Sequence, residues 1–137
     1  YFPGRDLEPH FQAGAKYFIT PNVNVDVIRK ANELEVVSIP GALSPTEAAY
    51  AYEEGADFVK LFPAGDLGSN YIKSLCAPLN HIPFLAVGGV SPDNIKEFAN
   101  AGVCGFGVGG KLIDKKAIYN GEYEKITKIA QEYTNRK

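Results

Sequence analysis

The chain has 137 residues, 45% of them hydrophobic, enough to bury a single packed core, so one domain spanning residues 1–137 is expected. Its 14 Lys and Arg against 16 Asp and Glu leave a net charge of −2 with no sustained run of either sign, poor material for attracting nucleic acid or an anionic membrane. Cys76 and Cys104 lack CxxC or Cys/His ligand spacing and fall in segments that read as buried, so neither a disulfide nor a metal centre is expected.

No run approaches the ~18 apolar residues of a membrane span, and the opening "YFPGRDLEPH" lacks the charged-then-apolar build of a secretory leader. The expectation is a cytoplasmic protein whose partner is a small molecule or another protein. The first residue is not Met, which leaves an upstream start open.

Residues 1–12 show no assignable element. The first β-rich run is "KYFITP" (16–21), followed by "NVDVIRKANEL" after Asn22, patterned as a helix. "EVVSIPG" (35–41) is the second run. Ser44, Pro45 and Glu47 then supply an N-cap, a proline in the first turn and a capping-box glutamate for "SPTEAAYAYEEG", which Gly55 stops. "DFVKLFPA" (57–64) precedes the helical "SNYIKSLCAPL", and "PFLAVGG" (83–89) precedes "SPDNIKEFANAG", opened by Ser91, Pro92 and Asp93 and stopped by Gly102. "CGFGVGG" (104–110) is the last run. The tail spaces Tyr119, Tyr123, Ile126, Ile129 and Tyr133 for one apolar helix face, read as a closing helix, with a subunit contact as the other reading.

The segments "QAGAKYFITP", "EEGADFVKLFP" and "NAGVCGFGVGG" share a helix end, a glycine, a small residue and an apolar strand carrying Phe. Strands that are apolar almost throughout and alternate with helices predict an α/β fold with a parallel sheet covered on both faces. A doubly wound nucleotide fold would carry G-x-G-x-x-G after its first strand, whereas "GFGVGG" (105–110) ends the last one. The expected architecture is a (β/α)8 TIM barrel, of which about five C-terminal strand–helix units are recognisable, leaving about three strands hidden in residues 1–12, missing, or supplied by another chain.

Within "DFVKLFPAG" (57–65), alternation puts Phe58, Lys60 and Phe62 on one strand face and Val59 and Leu61 on the other. One reading is a lysine whose ammonium snorkels to water. The other is a desolvated amine with a depressed pKa, able to attack a ketone and form a Schiff base that permits carbon–carbon bond cleavage. Gly88–Gly89 and Gly109–Gly110 end the last two runs, where barrels often bind phosphate. They are read as an anion site assisted by a helix starting near Ser91, or simply as tight turns. Lys111 beside the second pair either adds charge or is solvated. His10 and His81 have no triad or metal arrangement.

With "ITP", "IPGALSPTEA", "VKLFPA", "VGGVSPDNI" and "GVGGKL" in order, Ala13 to Asp114 resembles the KDPG/KHG aldolase family (2-keto-3-deoxy-6-phosphogluconate and 4-hydroxy-2-oxoglutarate aldolases). The resemblance implies a commonly trimeric (β/α)8 barrel that uses no metal or cofactor. It implies a class I aldolase that cleaves a 2-keto-3-deoxy sugar acid phosphate or 4-hydroxy-2-oxoglutarate to pyruvate and an aldehyde. Lys60 would carry the Schiff base; Pro21, Pro40 and Phe62 would line the pyruvate pocket; and Gly88, Gly89, Gly109 and Gly110 would hold phosphate or a distal carboxylate.

Val87 stands where the family usually has Thr, and Lys111 where its phosphogluconate members usually have Ser; both shift weight toward hydroxyoxoglutarate or a related sugar acid. The implied general-base glutamate and carboxylate-binding arginine match no motif, and Glu47 reads as a cap. The alternatives are a non-catalytic phosphate or sugar-acid binder lacking the base, and a phosphate-binding barrel enzyme in which Lys60 binds a carboxylate.

Overall fold

The computed structural model describes residues 7–135. Of the twelve opening positions without an expected element, 1–6 lie outside the described residues, and Glu8–Gln12 forms a short helix, α1. The strand–helix rhythm follows: β1 (Tyr17–Ile19), α2 (Val25–Glu33), β2 (Val37–Ile39), β3 (Gly41–Ala42), α3 (Pro45–Glu53), β4 (Val59–Leu61), α4 (Ala64–Cys76), β5 (Phe84–Val87), α5 (Ile95–Asn100), β6 (Gly105–Gly107), α6 (Lys115–Tyr119) and α7 (Tyr123–Asn135).

Every strand pairing is parallel, β1 with β2 and then β3, β4, β5 and β6 in chain order. Pro40, lacking an N–H, divides the second run into β2 and β3. The sheet continues across it, because the Phe58 N–H donates to the Ser38 carbonyl at 3.3 Å and the Lys60 N–H to the Pro40 carbonyl at 2.9 Å. Spatial order that follows chain order without reversal is the order of a barrel, and it excludes the doubly wound alternative.

Pleating divides the strands into two faces. Phe18, Ser38, Ala42, Val59, Leu61, Phe84 and Ala86 are buried on the outer, helix-covered face. There the residues of β3, β4 and β5 meet Ile28 of α2, Ala48 of α3, Ile72 and Leu75 of α4, and Phe98 of α5 in the main core, while Phe18 packs with Val27 and Ala31 of α2 in a second, smaller cluster, each large side chain contributing about 1.5–3 kcal/mol on burial. Ser38 belongs there because Asp57, just before β4, accepts from its N–H at 2.8 Å and from its hydroxyl at 3.3 Å, which fixes the register of adjoining strands.

The inner face carries the register row Gly41, Lys60, Leu85 and Gly105. Covering of both faces is not observed: Tyr17 and Ile19, on the inner side of β1, are 59% and 44% exposed. The five strand runs among the described residues trace only part of an eight-stranded circumference, and the barrel is not closed.

The α3 cap is as expected. The Ser44 hydroxyl accepts from the Glu47 N–H, and the Glu47 carboxylate accepts from the N–H groups of Leu43 and Ser44 at 3.0 and 2.8 Å. These donors hold Glu47 below the ordinary glutamate range, Ser44 first. A depressed folded pKa adds stability that is complete above the unfolded value and is lost as pH falls through the folded one. Thermal melts below about pH 4.5 should therefore show a smaller acid loss in Glu47→Gln than in wild type, from a lower starting Tm; equal losses would contradict the cap.

Several boundaries differ from expectation. The α2 cap is Asn24, whose side chain accepts from the Asp26 and Val27 N–H groups, so the helix starts later than Asn22 suggests. Helix α4 starts directly after Pro63 and breaks at Gly68 (φ 77°) before "SNYIKSLC". Ser91 opens a turn instead of the helix proper: its N–H donates to the Asn94 side chain at 2.8 Å, and α5 begins at Ile95. The tail is two helices, parted at Gly121 (φ 72°), which separates Tyr119 (92% exposed) from the α7 residues Ile129 and Tyr133 that reach the core; Tyr123, at the start of α7, is 64% exposed. Cys76 is buried but Cys104 is exposed, its thiol donating to the Phe84 carbonyl at 3.2 Å.

Candidate functional site

Lys60 sits in the middle of β4 between the fully buried Val59 and Leu61 and is itself only 7% exposed. Alternation forces this: the two apolar neighbours take the outer face, so the lysine takes the inner one. Its row neighbours are glycines on two sides, Gly41 directly and Gly105 beyond Leu85, which leaves space around the side chain. Nζ lies 4.8 Å from the centroid of the Phe62 ring, so the two residues share a face as alternation requires. Burial alone pushes the amine below the ordinary lysine value of 10.5, and no carboxylate contributes. Among the described residues Lys60 forms no ion pair.

Pro40 is buried and meets Lys60 through its carbonyl. Pro21, exposed, reaches the adjoining strand end: its carbonyl carbon would lie 2.6 Å from a Cβ added to Gly41, so Gly41 is required for this close approach. Phe62, 39% exposed, connects the lysine to the first glycine pair, since a Cβ on Gly88 would lie 3.1 Å from its ring.

Gly88, Gly89, Gly109 and Gly110 line one pocket of about 330 Å³ at the ends of β5 and β6, together with Val87, Val90, Gly107 and Lys111. Among the described residues the backbone N–H groups of Gly88, Gly89, Gly109, Gly110 and Lys111 have no acceptor within the protein. No carboxylate lines the pocket, and Lys111 is its one charged lining residue. Such a set of uncommitted donors around one pocket suits an anion.

The two pairs are glycine for different reasons. Gly88 and Gly89 have φ of 85° and 75°, and a Cβ on Gly89 would lie 2.8 Å from the Gly65 Cα. Gly109 and Gly110 have open space around them. The turn reading thus accounts for the first pair and not for the second.

Two residues at these strand ends went unread in the sequence. Gly65 packs on Gly89 and donates its N–H to the Gly88 carbonyl at 2.8 Å, and Gly41 packs on Pro21. Their signal was a glycine directly after "KLFPA" and one directly after Pro40. Glu47 is committed to its cap. His81 packs edge-on against Tyr52 with ring centroids 5.6 Å apart, far in character from a catalytic pair. A larger groove of about 430 Å³, lined by Cys104, Phe106 and Tyr133, lies among α5, β6 and α7 on the outer side of the sheet. Among the described residues no group of three or more His, Cys, Asp or Glu could hold a metal ion, and no helix is long and apolar enough to cross a membrane.

A parallel α/β chain in barrel order with a desolvated lysine in mid-strand and a glycine-lined pocket at the C-terminal strand ends defines a barrel of the aldolase type. Residues 5–129 match the aldolase family described as KDPG and KHG aldolase, and the chain belongs to that family. It is 41% identical over 100 residues to the 2-dehydro-3-deoxy-6-phosphogalactonate aldolase of Escherichia coli (strain K12), covering 72% of this chain and 49% of that protein. A native KDPGal structure superposes with a TM-score of 0.84 at 34% identity, over 91% of this chain and 59% of the other. The KDPG aldolase of Legionella pneumophila, solved with pyruvate captured as a covalent carbinolamine, superposes with a TM-score of 0.77 at 25% identity, over 87% and 58%. The chain spans about half the length of the curated relatives it matches.

Proposed function

We propose that this protein is a class I aldolase acting on a 2-keto-3-deoxy sugar acid phosphate, with Lys60 as nucleophile. The observation that carries this reading is the buried Lys60 amine, depressed by desolvation alone, on the face that adjoins the glycine pocket. Neutral Lys60 attacks the C2 ketone, and the carbinolamine loses water to a protonated Schiff base. The iminium accepts the electron pair of the breaking C3–C4 bond as the C4 hydroxyl loses its proton, which releases the aldehyde and leaves an enamine. Protonation at C3 and hydrolysis then return pyruvate and free Lys60.

The Phe62 face beside Nζ stabilises the cationic iminium by roughly 0.5–2 kcal/mol while disfavouring water. Pro21, Pro40 and Phe62 line the pyruvate end, and the four glycines bind the distal anion. No described side chain forms a hydrogen bond or ion pair with Lys60 through which the C4 proton would move. Of the two substrate classes that the sequence left open, the phosphorylated one is favoured by a pocket of free N–H donors with a lysine and no acid. A homotrimer and a cytoplasmic location rest on the family resemblance; light scattering on the purified chain tests the first.

Pyruvate with borohydride should yield a reduced adduct on the peptide carrying Lys60. Trapping should rise with pH through a midpoint below 10.5, because the free amine is the reactive form. Unmodified Lys60 in folded protein that still binds phosphorylated sugar acids would leave the non-catalytic binder as the correct reading.

A further inference from the structure

We propose that Lys111 is a specificity-determining residue that sets this protein's preference for a phosphate dianion over a single carboxylate at the distal end of its substrate. The inference rests on the function proposed above and assigns that site's charge selectivity to a particular side chain. The pocket at the ends of β5 and β6 has two kinds of donor. Backbone N–H groups of Gly88, Gly89, Gly109 and Gly110 carry only partial charge and accept any small anion. Lys111 brings the pocket's one full charge.

That charge is uncommitted. Lys111 makes no ion pair with any described residue, and the nearest acid along the chain, Asp114, is engaged elsewhere. Asp114 accepts from the Lys116 and Ala117 N–H groups at the start of α6 and pairs with Lys125 at 2.8 Å. The loop before Lys111 is held by the Leu112 and Ile113 N–H groups, which donate to the Gly109 carbonyl at 2.8 and 3.1 Å, while the N–H groups of Gly110 and Lys111 stay available. Gly109 and Gly110 have open space that packing does not require, so an anion can approach their backbone closely in the pocket that Lys111 also lines. A dianion gains roughly twice what a monoanion gains from a fixed cation, since the attraction scales with the product of charges.

The test is binding of inorganic phosphate to the full chain, followed by amide chemical shifts of Gly109 and Gly110 at pH 8. Wild type should bind phosphate more tightly than acetate; Lys111→Met should bind phosphate about tenfold more weakly, as expected for loss of a charged donor, and acetate only about threefold more weakly, since half the charge product is half the free energy; and Lys111→Arg should restore most of the difference. Lys111 is exposed and unpaired, so both variants should keep the wild-type Tm. Equal phosphate affinity in Lys111→Met and wild type would overturn the proposal, as would an equal loss for acetate. Pyruvate trapping on wild-type Lys60 separates the two readings: trapping without phosphate binding sinks this inference alone, and phosphate binding without trapping sinks the aldolase alone.

Discussion

Lys60→Met should abolish pyruvate trapping, lower any aldol cleavage by at least about 10⁴-fold, and make the fold more stable. The first effects follow from chemistry, because no other lysine among the described residues is buried. The last follows from the depressed amine. A lysine whose folded pKa lies below its unfolded value carries a cost at every pH where the unfolded chain is protonated and the folded site resists protonation. That cost is complete below the folded pKa and is relieved as pH rises through it toward 10.5. Met fills similar volume without a charge, so the variant should gain about 1 kcal/mol near neutrality, the trade between stability and activity seen at functional groups. Melts taken across this window should show the advantage of Lys60→Met shrinking as pH rises. A variant less stable than wild type at pH 7, or an adduct retained at another lysine, would show that desolvation does not govern this residue.

Lys60 was legible in the sequence because its signal is local: alternation in "DFVKLFPAG" fixes the face, and apolar neighbours fix the burial. The Ser44–Glu47 capping box was legible for the same reason, being complete within four consecutive positions. The strand order also followed, because repeated strand–helix units leave few parallel topologies. What failed depended on contacts remote in sequence or on a single breaker. Tyr119 keeps helical spacing with Ile129 and Tyr133, yet Gly121 turns the chain before α7 and takes it from the core, while Tyr123, at the first position of α7, is exposed as well. Cys104 looks strand-like and interior but is exposed just before β6, beside the groove among α5, β6 and α7. The open inner face could not be read from apolar strands alone, since Tyr17 and Ile19 have the composition of covered residues. Nor could the different reasons for the glycine pairs, because Gly65, whose Cα sets the demand on Gly89, lies more than twenty positions earlier.

That difference carries the sharpest structural prediction. Gly89→Ala must place a side chain at φ 75° and 2.8 Å from the Gly65 Cα, a backbone atom that cannot swing aside. The left-handed conformation costs about 1–2 kcal/mol, and the overlap adds about 1–3 kcal/mol. Together, about 3 kcal/mol should lower Tm by roughly 10 °C in a chain of this size. Gly109→Ala meets open space with no such backbone demand, so its stability should stay within about 0.5 kcal/mol of wild type. Its methyl would instead enter the pocket and weaken phosphate binding. Calorimetry and phosphate titration on the same two proteins therefore separate the roles: a Tm loss in Gly89→Ala alone would assign the first glycine pair to the packing of β5 on α4, and a binding loss in Gly109→Ala alone would assign the second to the ligand. If Gly109→Ala destabilises the fold while binding phosphate normally, the second pair is a turn like the first, and the anion site loses its support. If both variants fold and bind as wild type, the close approach of Gly65 and Gly89 is not what holds these strand ends together.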